Sequence, residues 1–140
     1  IPRPLHHTTV SAINGKLYVI GGFASGMWIP VNTNYEYDPK NKEWMKKTPM
    51  PTKRGAHAAA VIDGKIYVMG GGGSGARQSN PVATLKVYSV VSDSWTLKAN
   101  MPTPRSELAA VAVSGKIFAI GGVARLNSWY QGLENATANE

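Results

Sequence analysis

Cysteine is absent from the 140-residue chain, which excludes a disulfide framework, thiolate zinc sites and cysteine nucleophiles. Charged residues are also sparse, at 16% of the chain, and this argues against a coiled coil or a charged disordered tail. No apolar run approaches the roughly 18 residues of a membrane-spanning helix, and no basic segment leads into an apolar one at the N-terminus. We therefore expect no membrane partner, while the cellular compartment stays unknown.

The abundant residues describe a turn-rich globular chain, with 15 glycines, 9 prolines and 43% hydrophobic residues. Lysine and arginine exceed aspartate and glutamate by 15 to 8, which gives a formal net charge of +7. This excess would suit an anionic partner, or it would simply keep the surface solvated. Because the lysines are mostly scattered, we favour the solvated surface and expect no nucleic-acid partner.

The chain contains an internal repeat. The segment Met50–Arg54 returns 51 residues later as Met101–Arg105. A Trp and a Tyr return at the same offset, as Trp44 and Trp95 and as Tyr37 and Tyr88. A unit that ends in Gly-Gly occurs three times, at 14–22, 63–71 and 114–122. Such self-similarity indicates a repeat architecture in which each unit is one supersecondary motif.

Length varies in one connection of the repeat. From each repeated Tyr to the next Gly-Lys turn the spacing is 27 residues, but from Gly-Gly to Tyr it is 15 in the first unit and 17 in the second. Insertions that collect in one connection are typical of the exposed and often binding face of a stacked array. The loops 23–33 and 72–83 are therefore the best candidates for specificity. Within them we expect four residues to bind a partner: Trp28, Ser74, Arg77 and Gln78. Trp28 could equally fold back over the edge of a sheet.

Within each unit the pattern is that of short strands and turns, without helical periodicity. A first strand is predicted at 8–13, 57–62 and 108–113, and a two-residue turn with glycine joins it to a second strand, such as 65–69. The third strand is predicted at 34–37 and 84–88, and the fourth at 43–46 and 94–98. Each complete unit is thus predicted to be a four-stranded antiparallel sheet.

Four strands per repeat, a Gly-Gly doublet after the second strand and then a spaced Tyr and Trp resemble the kelch motif. The resemblance implies an all-β, kelch-type β-propeller segment. It would hold blade one at 1–49, blade two at 50–100 and the inner hairpin of a third blade at 101–122. It also implies a likeness to galactose oxidase-like propellers, but the copper chemistry of that oxidase needs a cysteine-modified tyrosine and is excluded for this chain.

The third unit lacks its outer half. A third Tyr would be expected at 137–139, where the chain reads Thr-Ala-Asn. Since propellers close with about four to eight blades, we expect the chain to belong to a larger propeller or to complete a ring as a homo-oligomer. Residues 123–140 are predicted to form a variable loop and a frayed tail.

Arg54 and Arg105 follow the repeated Met-Pro-Thr turn and open the innermost strand, while Leu5 stands at this place in the first unit. In several kelch adaptor proteins the matching arginine binds acidic side chains of a partner peptide, so the resemblance implies that role here. A planar guanidinium meets a carboxylate bidentately and stays charged. The alternative is an arginine that bonds loop carbonyls between blades.

Cofactor and metal signals are weak. The glycine-rich run 70–75 formally matches a dinucleotide motif, but the segment 76–81 that follows has no helical period, so no cofactor is expected. His6 and His7 are adjacent, so on a strand they would point to opposite faces and could not readily chelate one ion. We therefore expect no metal.

For catalysis, Glu107 and His57 form the one suggestive acid-base pair, at the mouth of the implied central channel. The resemblance includes bacterial kelch propellers that act as sialic acid epimerases, and a solvated glutamate is the alternative. No catalytic motif is evident, so we expect a non-catalytic module that binds a protein or peptide partner, one with acidic groups, through loops on one face. A carbohydrate-binding or sugar-epimerase propeller is the alternative function.

Overall fold

The computed structural model describes residues 1–24, 28–73 and 80–124. These ranges contain strands and turns and no helix. The strands are, in chain order, β1 (Leu5–His6), β2 (Thr9–Ile13), β3 (Lys16–Ile20), β4 (Phe23–Ala24), β5 (Ile29–Pro30), β6 (Asn34–Asp38), β7 (Glu43–Lys46), β8 (Ala58–Ile62), β9 (Lys65–Met69), β10 (Leu85–Ser89), β11 (Ser94–Lys98), β12 (Ala109–Val113) and β13 (Lys116–Ile120).

Most strands belong to repeated antiparallel sheets. Strands β2, β3, β6 and β7 form blade one, and β8, β9, β10 and β11 form blade two. Strands β12 and β13 form a hairpin that begins a third blade. The register repeats, since Val10 pairs with Val19 in blade one and Ala59 with Val68 in blade two. The prediction of an all-β chain with four-stranded antiparallel blades is confirmed, and the predicted strand ends agree with the observed ones to within one residue.

A three-stranded sheet outside the blades was not predicted. Strands β1, β4 and β5 pair in the order β1-β4-β5, with Leu5 opposite Ala24 and Phe23 opposite Pro30. Both β4 and β5 lie in the connection 23–33, which the sequence marks only as a variable loop. The first of the two variable connections is therefore anchored by backbone pairing to the start of the chain.

The hairpin turns repeat the same backbone conformation. The turn residues Asn14 and Gly15 have φ of 51° and 74°, and Asp63 and Gly64 have φ of 49° and 67°. Positive φ at both central residues is the geometry that suits the twist of a tight hairpin, and Asn, Asp and Gly tolerate it best. Ser114 takes this conformation with φ of 50° in the third hairpin.

The main core lies between blade one and blade two. Ile13 and Ile20 of blade one are buried against Ile66 and Val68 of blade two. Met50, in the connection between the blades, is fully buried in the same cluster. The repeated aromatic residues extend this core outward, since Trp95 lies 5.1 Å from the Tyr88 ring and donates a 2.9 Å hydrogen bond from Nε1 to the Thr48 carbonyl.

A second core joins blade two to the third hairpin, and the far face of that hairpin is exposed. Ala58 and Met69 of blade two are buried with Leu108 and Ala119. The side chains that alternate to the other face of β12 and β13 are large and exposed: Val111, Val113, Phe118 and Ile120. At the matching positions of blade one, Ile13, Tyr18 and Ile20 are buried.

Residues 125–140 lie outside the described part of the chain, and the expected frayed tail lies almost wholly among them. The predicted limits of the blades, at 1–49, 50–100 and 101–122, stay predictions. Within the described ranges, no helix is long and apolar enough to span a membrane.

Candidate functional site

One edge of the blades carries all the connections that the sequence marks as candidates. We call this edge the loop face; it comprises 21–24 and 28–33, 47–57, 70–73 and 80–84, and 99–108. The Gly-Gly doublets connect neighbouring parts of the loop face by backbone hydrogen bonds. The Gly22 N–H donates to the Arg54 carbonyl at 2.9 Å, and the Gly71 N–H donates to the Arg105 carbonyl at 2.9 Å. Gly55 and Gly72 exchange two further backbone hydrogen bonds. Each variable connection is thus held against the start of the next blade.

The Arg54 side chain lies inside the loop face and is only 3% exposed. Its Nη1 donates to the carbonyls of Gly70 at 3.0 Å and Thr84 at 3.3 Å. Its Nε and Nη2 both donate to the Thr52 hydroxyl, at 3.2 and 2.8 Å. Burial lowers the pKa of Arg54 to about 10, which leaves the guanidinium charged at neutral pH.

Arg105 repeats this arrangement one blade later. It is fully buried, and its Nη1 donates to the carbonyl of Gly121 at 3.2 Å, the counterpart of the bond from Arg54 to Gly70. Each arginine therefore bonds a carbonyl at the end of the second strand of its own blade. This geometry favours the alternative in which these arginines bond loop carbonyls, and contact with an acidic partner stays a prediction.

Lys86 also belongs to the Arg54 cluster, although the sequence analysis did not single it out. Its Nζ donates a 2.6 Å hydrogen bond to the Thr52 hydroxyl, and the residue is 6% exposed. Burial, together with the nearby positive charge of Arg54, lowers the pKa of Lys86 to about 8. The available signal was a lysine within the otherwise apolar strand from Leu85 to Tyr88.

His57 is buried between blades one and two. Its Nε2 lies 3.1 Å from the Ile20 carbonyl and 3.2 Å from the Thr9 hydroxyl. Burial, with a smaller contribution from the Arg54 charge, lowers the pKa of His57 to about 3, so the ring is neutral at physiological pH. Glu107, its proposed partner in acid-base chemistry, is exposed. The position of His57 favours packing and not contact with a substrate, and the catalytic pairing stays a prediction.

The histidine pair departs from the expected geometry. Adjacent side chains of a strand alternate between faces, yet the Nδ1 atoms of His6 and His7 lie 2.8 Å apart. The prediction of opposite faces is wrong because His7 has φ of 52°, which breaks the extended conformation. Within the described ranges, no group of three or more His, Asp or Glu side chains could hold a metal ion.

Trp28 packs against this histidine pair. Its ring lies 5.0 Å from His6, 4.8 Å from His7 and 5.2 Å from Phe23. Phe23 is fully buried, whereas Trp28 is half-buried. Trp28 therefore packs on the small sheet and keeps part of its surface accessible, and partner contact by Trp28 stays a prediction. The other loop candidates, Ser74, Arg77 and Gln78, lie outside the described residues.

A separate cavity of about 270 Å³ lies on blade two, away from the arginines. It is lined by side chains of β9, β10 and β11 and of the turn between the last two, among them Lys65, Tyr67, Val87 and Lys98. These residues alternate to the face of blade two that packs on the third hairpin.

Comparison with known families decides the classification. Residues 1–132 match the family model described as the KLHDC2/KLHL20/DRC7 Kelch-repeats domain. The chain belongs to the kelch-repeat family. This kelch chain is 33% identical over 128 residues to Kelch-like protein 40 of Mus musculus, covering 91% of this chain and 20% of that protein. It is 26% identical over 135 residues to alpha-scruin of Limulus polyphemus, covering 91% of this chain and 14% of that protein.

A solved structure supports the same fold. The structure of YjhT superposes with a TM-score of 0.74 at 25% sequence identity, covering 89% of this kelch chain and 36% of YjhT. The chain thus spans about a third of that propeller and a fifth or less of the two relatives named above. The resemblance to the kelch repeat inferred from the sequence is confirmed.

Proposed function

We propose that this kelch segment is a non-catalytic module that binds a protein or peptide through the loop face. The observation that carries the proposal is the construction of that face. The two variable connections are held to the start of the next blade by the same backbone hydrogen bond, donated by Gly22 in one unit and by Gly71 in the other. A rigid frame with connections of differing length presents different side chains without disturbing the blades.

The partner in this proposal carries acidic groups. The chain has a formal charge of +7, and Arg54 and Lys86 place two cationic groups beneath the loop face. Complementary charge speeds encounter and suppresses wrong partners. Arg77 and Trp28, in the two variable connections, are residue types that often dominate interface energies.

Closure of the propeller is also part of the proposal. The exposed apolar face of β12 and β13 occupies the position that packs against a following blade elsewhere in the chain. We expect further blades, from a second copy or from a longer chain, to cover it.

The experiment is a binding screen of the 140-residue chain against immobilised peptides of matched length in acidic, neutral and basic sets. Acidic peptides should be enriched, and Arg77→Ala together with Gln78→Ala should reduce the signal. Lys40→Ala is the matched control, because Lys40 is exposed in the turn between β6 and β7, at the opposite edge of the blade. The proposal would be contradicted if acidic, neutral and basic peptides bound equally well. It would also be contradicted if Lys40→Ala reduced binding as much as the double variant of Arg77 and Gln78.

A further inference from the structure

We propose that His6 and His7 bind one copper(II) ion through their two Nδ1 atoms. We call this pair the histidine site. It lies where the start of the chain meets the loop face, since His6 pairs with Phe23 in the sheet of β1, β4 and β5. The His7 carbonyl, next along the chain, accepts a 2.9 Å hydrogen bond from the Ala56 N–H. This inference goes beyond the proposed function and does not depend on it.

The separation of the two ring nitrogens is the first argument. The Nδ1 atoms of His6 and His7 lie 2.8 Å apart. Bonds from a metal ion to imidazole are about 2.0 Å long, so two such ligands would lie about 2.8 Å apart at a right angle and about 3.3 Å apart at a tetrahedral angle. The observed separation therefore fits neighbouring positions of a square-planar or tetragonal ion. Copper(II) prefers this geometry and binds nitrogen ligands most strongly among the divalent first-row metals.

The second argument is that the metal can replace the proton between the rings without a change in their total protonation. Each neutral imidazole has one N–H and one free lone pair, so the contact joins the N–H of one ring to the lone pair of the other. Movement of the donor's proton from Nδ1 to Nε2 frees a second lone pair. The two ring planes lie at 77° to each other, and small rotations of the rings would aim both lone pairs at one ion.

The backbone holds both residues in place before any ion binds. Pairing with Phe23 fixes His6. His7 has φ of 52°, and Ala56, which stands 49 positions later in the next unit, has φ of 54°. The conformation thus belongs to the repeat and does not depend on a histidine. Ligands that are positioned in advance cost less entropy on binding.

The pair of imidazoles is specific to the first unit of the repeat. At the matching places the second unit has Gly55 and Ala56, and the third unit has Ser106 and Glu107. The repeated backbone therefore presents a pair of nitrogen ligands only where the first unit begins.

Aromatic side chains cover one side of the histidine site. The Trp28 ring lies 5.0 Å from His6 and 4.8 Å from His7, and the buried Phe23 ring lies 5.6 and 6.0 Å from them. His7 itself is exposed. Since the described residues hold no group of three or more His, Asp or Glu side chains that could bind a metal, water would fill the remaining positions. The histidine site is therefore open to solvent, unlike a closed structural metal site.

Titration with copper(II) tests the site by calorimetry and by tryptophan fluorescence. The chain is used without an affinity tag and with an acetylated N-terminus, because added histidines and a free terminal amine also bind copper. One equivalent should bind and should quench fluorescence, since Trp28 lies against both imidazoles. Trp28→Phe should keep the affinity and lose most of the quenching.

Substitution of each histidine separates the pair from other copper ligands. His7→Asn supplies a residue that tolerates positive φ. This variant and His6→Gln should each bind copper at least about tenfold more weakly, because one ring can no longer act together with the other on the same ion. His57→Gln is the matched control, since it removes a buried imidazole outside the site and should leave the affinity unchanged. Thermal melts check that each variant is folded.

Pulsed electron paramagnetic resonance counts the coordinated rings, because the remote nitrogen of each bound imidazole modulates the signal. The wild-type chain should show two rings, and His6→Gln and His7→Asn one each. A single coordinated ring in the wild type would overturn the histidine site. Equal copper affinity in the wild type and both variants, or an equal loss in folded His57→Gln, would also overturn it. These readouts use no peptide, so this inference and the proposed function can fail separately.

Discussion

The backbone N–H of Glu107 donates a 2.8 Å hydrogen bond to the carbonyl oxygen of Ala56. Ala56 makes the same bond, at 2.9 Å, to the carbonyl of His7. All three residues have positive φ, between 52° and 56°, although their side chains have nothing in common. A backbone ladder therefore links successive blades at the start of their innermost strands. Because it uses main-chain atoms alone, the side chains at this position are free to differ.

The first prediction concerns the glycines that allow the blades to approach. A Cβ at Gly71 would lie 2.6 Å from the Gly55 carbonyl, and Gly71 has φ of 86°. Gly71→Ala should therefore lower the free energy of unfolding by about 3 kcal/mol or more. Gly64→Ala is the matched control, with φ of 67° but no atom within 4 Å of the added Cβ, and should cost only about 1 kcal/mol. Similar losses in urea unfolding of the two variants would contradict a steric role for Gly71.

Comparison of the sequence with the structure shows which features were predictable. The conformation of a tight hairpin turn depends on its two central residues, so the hairpins at Asn14 and Asp63 could be predicted directly. The burial of Lys86 could not be predicted, because its hydrogen-bond partner Thr52 lies 34 positions earlier, in the connection between β7 and β8. The histidine pair was mispredicted since its geometry is set by the φ of His7, which depends on the backbone ladder and not on the identity of the side chain.

The second prediction concerns the buried arginine. Arg54→Met removes the donors to the Gly70 and Thr84 carbonyls and should lower the free energy of unfolding by about 2 kcal/mol. Lys53→Met, at the neighbouring exposed position, should change it by no more than about 0.5 kcal/mol. Chemical denaturation of both variants measures the difference. Equal stability would show that the guanidinium is dispensable for the frame and available for a partner.

The third prediction concerns pH. The folded-state pKa of His57 is lowered to about 3 from an ordinary value of 6.5, so the unfolded chain binds more protons between these two values. Stability should therefore fall as the pH decreases below 6.5, with a slope of up to about 1.4 kcal/mol per pH unit from this residue. His57→Gln should remove that part of the slope. Unfolding at pH 7, 6 and 5 measures it, and the same slope in both proteins would contradict the buried, neutral ring.

The last prediction concerns the exposed face of the third hairpin. Phe118 is 37% exposed, and Tyr18, at the matching position of blade one, is buried against blade two. We expect isolated chains to associate through this face, with a mass in solution above the 15.0 kDa of one copy. Phe118→Glu should reduce the mass to that of a single chain, because the association would bury an unpaired charge.

Light scattering after size exclusion measures this mass. Val91→Glu is the control, since Val91 is 92% exposed in a turn and lies away from the hairpin; it should leave the mass unchanged. A wild-type chain that is monomeric and melts cooperatively would contradict self-association, and the covering blades would then have to come from a longer chain. An associated wild type whose mass is unaffected by Phe118→Glu would place the contact elsewhere on the blades.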